Sequence, residues 1–173
     1  MRAWIGLGAN LGDAATTIAR AAAAIAALPG TSLVRVSSLY RSAPIGAQGA
    51  DFLNAVVEVD TGLSQSELLG HLLAIEAGEG RLRPYPNAPR TLDLDLLLAV
   101  DANGPVRVAS PSLTLPHPRM HQRAFVLAPL AELEPALVVP GHGRAVDLLA
   151  ACAAQRIERV GALPRPAPIE AAR

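Results

Sequence analysis

The chain has one cysteine, Cys152, in 173 residues. That excludes an intramolecular disulfide and any cysteine-clustered metal site. Aromatic residues are almost as scarce, at 3%: Trp4, Tyr40, Tyr85, Phe52 and Phe125. The core must therefore be built from Ala, Leu, Val and Ile, within a hydrophobic fraction of 51%. Net charge is lacking as well, with 15 basic against 15 acidic residues. This argues against a general nucleic-acid or acidic-lipid binder, but a small polyanion needs only a few converging arginines. No apolar run reaches the roughly 18 residues of a membrane span, and no apolar signal segment follows MRAWIGLGAN. The expectation is a cytoplasmic protein with neither membrane nor nucleic-acid partner. The length fits one domain over residues 1–163, followed by a disordered tail over 164–173 rich in proline.

The order of elements is legible from periodicity and punctuation. Residues 3–8 read as a strand ending in glycines, with a turn at Asn10, Gly12 and Asp13. Asp13 caps an alanine-rich helix over 14–28 that Pro29-Gly30 stops. Residues 33–39 and 52–60 read as strands joined by a long loop. Ser64 and Glu67 form a capping-box pattern ahead of a helix over 65–78. Residues 92–100 are a further strand, a short helix starts near Arg123, and one more helix covers 147–155. The order β-α-β-β-α-β predicts an α+β, ferredoxin-like core: an antiparallel sheet with helices packed on one face, plus a C-terminal extension.

The sharpest chemical feature is LDLDLLL at 92–98. In a strand, Asp93 and Asp95 share one face while Leu92, Leu94, Leu96 and Leu98 turn to the core. Two adjacent carboxylates repel each other unless a cation compensates, and hard oxygen ligands suit Mg²⁺. The same alternation also serves a strand whose wet side is merely solvated. Arg81, Arg83 and Arg90 precede the strand in one loop, and metal plus guanidinium is the equipment of polyphosphate transfer. A loop with three arginines is equally consistent with a solvated loop. The glycines of GLGANLG stand at 6, 8 and 12, so the dinucleotide fingerprint is absent, as is a P-loop. They read as a tight strand-to-helix turn. His117 and His121 have i, i+4 spacing, but Pro116 and Pro118 oppose a helix there, and no third ligand points to zinc.

PRTLDLDLLL at 89–98 resembles the signature segment of the 6-hydroxymethyl-7,8-dihydropterin pyrophosphokinase family. IGLGANLGD at 5–13, SSLYRSAPIG at 37–46, DFLNAVVEV at 51–59, IEAGEGRLR at 75–83 and LPHPRMHQRAFVLAPLAELEP at 115–135 resemble further blocks of that family, in the same order. The resemblance implies transfer of an intact pyrophosphoryl group from ATP to the hydroxymethyl oxygen of the dihydropterin, leaving AMP. It implies that Asp93 and Asp95 hold two Mg²⁺ ions and that Arg81 and Arg90 stabilise charge on the triphosphate. Glu76, Arg83, Leu96, Ser112, Thr114, His117 and Arg123 fall in the implied nucleotide-contacting set. Phe52 and Phe125 match two stacking positions around the pterin, and Asn54 matches the amide that reads its edge. Ser42, Ala43, Pro44 and Ile45 match the pocket-lining loop. A monomer or weak homodimer is expected.

The chain departs from the family pattern in three places. Asn87 and Ala88 stand where many relatives have an aromatic residue and a glycine, and Tyr85 is the available substitute. Ser112 stands where some relatives carry a nucleotide-contacting arginine. The competing class is a non-catalytic ferredoxin-like module that binds a pterin or nucleotide. It accounts for the fold order but leaves the carboxylate pair and the arginines without a purpose.

Overall fold

The computed structural model describes residues 1–45, 49–80 and 91–164. Strand β1 (Arg2–Ala9) leads through the Asp13 cap into helix α1 (Ala14–Ala26). The Asp13 carboxylate accepts the Thr16 N–H at 3.1 Å and the Thr16 hydroxyl at 2.7 Å, satisfying one orphan donor of the first turn. Strands β2 (Thr31–Val36), β3 (Leu39–Ser42) and β4 (Phe52–Thr61) follow. Helix α2 (Gln65–Gly78) opens on the anticipated capping box, with Ser64 and Glu67 bonded reciprocally. Strand β5 (Asp93–Asp101) completes the core.

The strands lie side by side as β3–β4–β1–β5, every neighbouring pair antiparallel, with β2 extending the β3 side of β4. This is the ferredoxin-like arrangement that the element order predicts. Helices α1 and α2 cover one face. Ile18, Ala21, Ala22, Ile25, Leu68 and Leu72 meet Ala3, Ile5, Leu7, Val57, Val59 and Leu94 there, with no aromatic residue among the buried members.

The C-terminal extension covers part of the other face. It runs through the short strands β6 (Gly104–Pro105), β7 (Val108–Ala109) and β8 (Thr114–Leu115) and a 3-10 turn at Met120–Gln122. Helix α3 (Ala124–Leu133) then packs Val126, Leu127 and Leu130 against Trp4, Val56 and Leu98. A small hairpin of β9 (Val138–Val139) and β10 (Gly143–Arg144) precedes helix α4 (Ala145–Ala151). Strand β11 (Ile157–Gly161) pairs with the outer edge of β3.

Three sequence expectations are corrected. The single strand expected over 33–39 is two strands, broken at Ser37 and Ser38. The Ser37 N–H still donates to the Val56 carbonyl at 3.0 Å, but its hydroxyl takes the Val56 N–H at 2.9 Å, and the Ser38 amide and hydroxyl both donate to the Glu132 carboxylate of α3, so side chains take over part of the ladder there. Leu98 does not share a face with Leu92, Leu94 and Leu96. The register slips between Trp4 and Ile5 of β1, so Leu97 and Leu98 both turn to the second face and Ala99 returns to the first. The strand expected over 3–8 contains Gly6 and Gly8 as placed, but it does not end at Gly8 and runs from Arg2 to Ala9. Residues 165–173 of the expected tail lie outside the described residues. Among the described residues no helix is long and apolar enough to cross a membrane.

Candidate active site

Side chains alternate along each strand, so the second face of the sheet is set by register. Gly8 of β1 lies between Asn54 of β4 and Asp93 of β5; Gly6 lies between Val56 and Asp95. Where α3 does not cover this face, a cavity of about 220 Å³ opens. Ten of the expected residues line it: Ser42, Ala43, Pro44, Ile45, Phe52, Asn54, Asp93, Asp95, Arg123 and Phe125. Phe52 starts β4, and Phe125 stands in the first turn of α3. Both are half-buried and line the cavity, and Phe125 also packs against the second core cluster.

Asn54 is buried and oriented. Its Nδ2 donates to the Ser42 hydroxyl at 2.9 Å and to the Tyr40 carbonyl at 3.3 Å. Its two donors are thus engaged, and Oδ1 is directed over Gly8, 3.4 Å from where a β-carbon there would stand. A flat heterocycle entering above Gly8 meets a fixed acceptor. Arg123 lies over the Phe125 ring at 5.5 Å, a contact of about 0.5–1 kcal/mol that also ties the cation to the ring's edge of the cavity.

The opposite wall is charged. Asp93 and Asp95 are half-buried on adjacent rows of one face. Among the described residues no three His, Cys, Asp or Glu side chains converge on one point. Two carboxylates on an open cavity are a fitting donor set for Mg²⁺, which binds through one or two carboxylates and completes its shell with phosphate oxygens and water. Arg119 and Arg123 also line the cavity.

Several expected residues lie elsewhere. Glu76 does not line the cavity. It is buried, and its carboxylate accepts the Leu94 N–H at 2.7 Å, joining α2 to β5 between the two aspartates. The Leu96 side chain is in the first core cluster, on the face away from Asp95. Ser112 and Thr114 are exposed around the β7–β8 hairpin. His117 does not line the cavity either, but its N–H donates to the Leu97 carbonyl at 2.7 Å and docks its segment on β5. Burial pushes its imidazole below the usual value; Asp95 opposes that, and Arg123 and Arg119 reinforce it. Arg81, Arg83, Arg90, Tyr85, Asn87 and Ala88 lie outside the described residues. Sequence reasoning missed Arg119 and the two glycines as parts of the cavity. Arg119 lies between His117 and Arg123, where the run of cationic side chains is the signal that could have found it, and Gly6 and Gly8 stand in GLGANLG, which the sequence reads only as a strand end and turn.

Comparison with known proteins places the chain in a family. The family described as 7,8-dihydro-6-hydroxymethylpterin-pyrophosphokinase (HPPK) matches residues 4–135. The chain belongs to the HPPK family. A relative from Pseudomonas aeruginosa, named 2-amino-4-hydroxy-6-hydroxymethyldihydropteridine pyrophosphokinase, is 44% identical over 160 residues, covering 92% of this chain and 96% of that protein. A relative of the same name from Methylorubrum extorquens is 44% identical over 142 residues, covering 82% of this chain and 87% of its own. Among solved structures, an HPPK-DHPS described as in complex with substrates superposes with a TM-score of 0.63 at 12% identity. Plasmodium falciparum HPPK-DHPS with SDX-DHP superposes with a TM-score of 0.64, also at 12% identity. This chain spans 43% and 44% of those two longer chains, and the likeness shows a shared HPPK fold.

Proposed function

We propose that the chain transfers the pyrophosphoryl group of ATP to the 6-hydroxymethyl oxygen of 6-hydroxymethyl-7,8-dihydropterin, yielding the pterin diphosphate and AMP for folate biosynthesis. One observation carries this reading. A slot lined by two phenylalanines, with an oriented amide, and a wall bearing paired carboxylates share a single cavity. A planar, hydrogen-bonding ring fits the first part and a metal-bound polyphosphate the second.

In the reaction, the hydroxymethyl oxygen forms a bond to the β-phosphorus, and the bond from that phosphorus to the α,β-bridging oxygen breaks. The electron pair and that oxygen leave with AMP, and the hydroxyl proton passes to solvent water. Asp93 and Asp95 would hold Mg²⁺, two ions by the family resemblance, which neutralises phosphate charge and lowers the pKa of the attacking hydroxyl. Phe52 and Phe125 orient the ring, and Asn54 Oδ1 sets its rotation, so the hydroxymethyl group points toward the carboxylate wall. Arg119 and Arg123 place positive charge beside the incoming phosphates. Arg81, Arg83 and Arg90 keep the role the resemblance implies, neutralising the triphosphate from the preceding loop. No protein general base is assigned. We further propose a cytoplasmic enzyme acting as a monomer or weak homodimer, with a single domain over residues 1–163.

The test is AMP formation from ATP, Mg²⁺ and 6-hydroxymethyl-7,8-dihydropterin, run beside Asp95→Asn. AMP and pterin diphosphate formed together, and lost in the variant, support the reaction and the metal assignment. A folded chain that binds both ligands without forming AMP overturns the reading in favour of a binding module.

A further inference from the structure

Arg123 stands at a joint. It closes the 3-10 turn at Met120–Gln122 and opens α3, and its own backbone is extended, at φ −119° and ψ 107°. Its N–H reaches the Met120 carbonyl at only 3.4 Å. A residue that opens a helix ordinarily offers a side-chain acceptor to the first-turn amides, whereas a guanidinium has donors alone. Arg123 accordingly gives α3 no side-chain cap. The acceptor comes from the C-terminal extension. Gln155 Oε1 accepts the Ala124 N–H at 2.9 Å, and Gln155 Nε2 donates to the Gln122 carbonyl at 2.7 Å. One amide thus grips the peptide groups on both sides of Arg123. Gln155 is itself held: its N–H donates to the carbonyl of buried Cys152 at 2.9 Å, and two residues later Ile157 pairs with Ser42 of β3. It lies beyond residues 4–135, the span that matches the family.

We infer that Gln155 is a positioning residue for Arg123, fixing the backbone from which the guanidinium reaches the phosphates of the nucleotide. A helix cap needs only the acceptor. The second bond, to the Gln122 carbonyl, lies upstream of α3 and on an exposed residue, so it neither caps the helix nor satisfies a buried group. Its effect is geometric. With the peptides before and after Arg123 tied to one amide, the φ and ψ of the joint are set, and with them the direction in which the side chain leaves. That side chain lines the cavity and lies 5.5 Å over the Phe125 ring. A long arm magnifies any rotation at its root, and misplacing a charge relative to a phosphate is costly. The C-terminal extension therefore contributes to the site without touching a ligand. This rests on the proposed function, which places Arg123 beside the phosphates, and deepens it.

The experiment is a double-mutant cycle in the full chain. Gln155→Met keeps the length without donor or acceptor, and Gln155→Asn keeps the amide but is one methylene too short to grip both peptides. Each is made in the parent and on Arg123→Ala. Titration calorimetry reads the affinity for the Mg²⁺ complex of α,β-methylene-ATP and, separately, for 6-hydroxymethylpterin; AMP formation reads KM and kcat. Gln155→Met should weaken nucleotide binding and raise the KM for ATP by about tenfold, and Gln155→Asn by somewhat less. Pterin affinity should stay within about twofold, and on Arg123→Ala neither substitution should change nucleotide affinity by more than about twofold. Nucleotide affinity unchanged in both Gln155 variants would overturn the inference, because the amide would then be a helix cap alone. So would an equal loss with and without Arg123, or an equal loss of both ligands. If Gln155→Met does not fold, Gln155→Asn decides by the same outcomes. A parent that binds the nucleotide but forms no AMP would overturn the proposed reaction and leave the cycle to decide on Gln155. A parent that binds no nucleotide would overturn both.

Discussion

One face of the sheet carries carboxylates at both ends, in opposite settings. At the end away from the cavity, Glu58 of β4 has no exposed surface, and its two oxygens are taken by Arg2 of β1 and Arg35 of β2. Arg35 also bonds the Leu133 carbonyl and, at 2.9 Å, Glu134, which fastens the end of α3 to the sheet. Arg2 lies 5.3 Å over the Trp4 ring. At the other end, Asp93 and Asp95 face an open cavity. A carboxylate buried behind two guanidinium groups is matched by its own protein and serves the fold. Asp93 and Asp95 instead line a cavity, where the proposed reaction would place a metal-bound phosphate. The same strand face thus holds a fastening at Glu58 and the proposed reaction site beside Asn54, four residues apart along β4.

Exchanging the roles of the two ends gives the sharpest tests. Asp93→Asn should lower AMP formation by about 10²–10³-fold, the scale of losing one charge-stabilising group, with little change in unfolding. Comparable activity would show that the cavity carboxylates are as structural as Glu58. Glu58→Ala should do the reverse: about 2–4 kcal/mol less stability in urea unfolding, with turnover of the folded fraction retained. The lower half of that range is favoured because both arginines reach solvent and can turn to it.

Asn54→Ala should weaken pterin binding by about 1–3 kcal/mol by deleting the fixed acceptor, with nucleotide binding intact, measured by calorimetry. Equal affinity would remove the amide from the recognition scheme.

The smallest effects are in pH. Burial pushes Glu58 up, but the hydrogen bonds from Arg35 and Arg2 outweigh it, and the net shift is below the usual 4.5. Its stabilising contribution is complete above the unfolded value and fades as pH falls below about 4.5 through the folded one. Glu58→Gln should flatten that acid limb of the stability profile. At the far side of α3's entry, His121 stacks on His142 with centroids 3.6 Å apart. Burial, then the His142 charge, lowers the His121 pKa from 6.5. A depressed histidine favours the neutral folded state, so stability should dip slightly as pH falls below 6.5. His142→Phe should reduce that dip, and an unchanged profile would show that the stack has no such effect.

Much of the fold was written locally. Asp13 and the Ser64–Glu67 box fix where two helices begin, because the first turn's orphan amides need an acceptor at those positions. The alternation of LDLDLLL fixes which side of β5 carries the aspartates. What stayed hidden depends on distant partners. The Ser37–Ser38 break needs Val56 and Glu132, and the reversal at Leu98 needs a slipped register against β1. β11 was not foreseen, because its place is the free edge of β3, more than 100 residues earlier.

The sequence by itself determined the residue types of the site and the face each one takes within its own element. Side-chain direction follows the backbone period and needs no partner. Only the tertiary structure decided which faces meet. It set Asn54, Gly8 and Asp93 in one row, took Glu76 out of the cavity, and brought Arg119 in. Those outcomes depend on strand register and on where α3 stops covering the sheet, and both are settled by contacts between residues far apart along the chain.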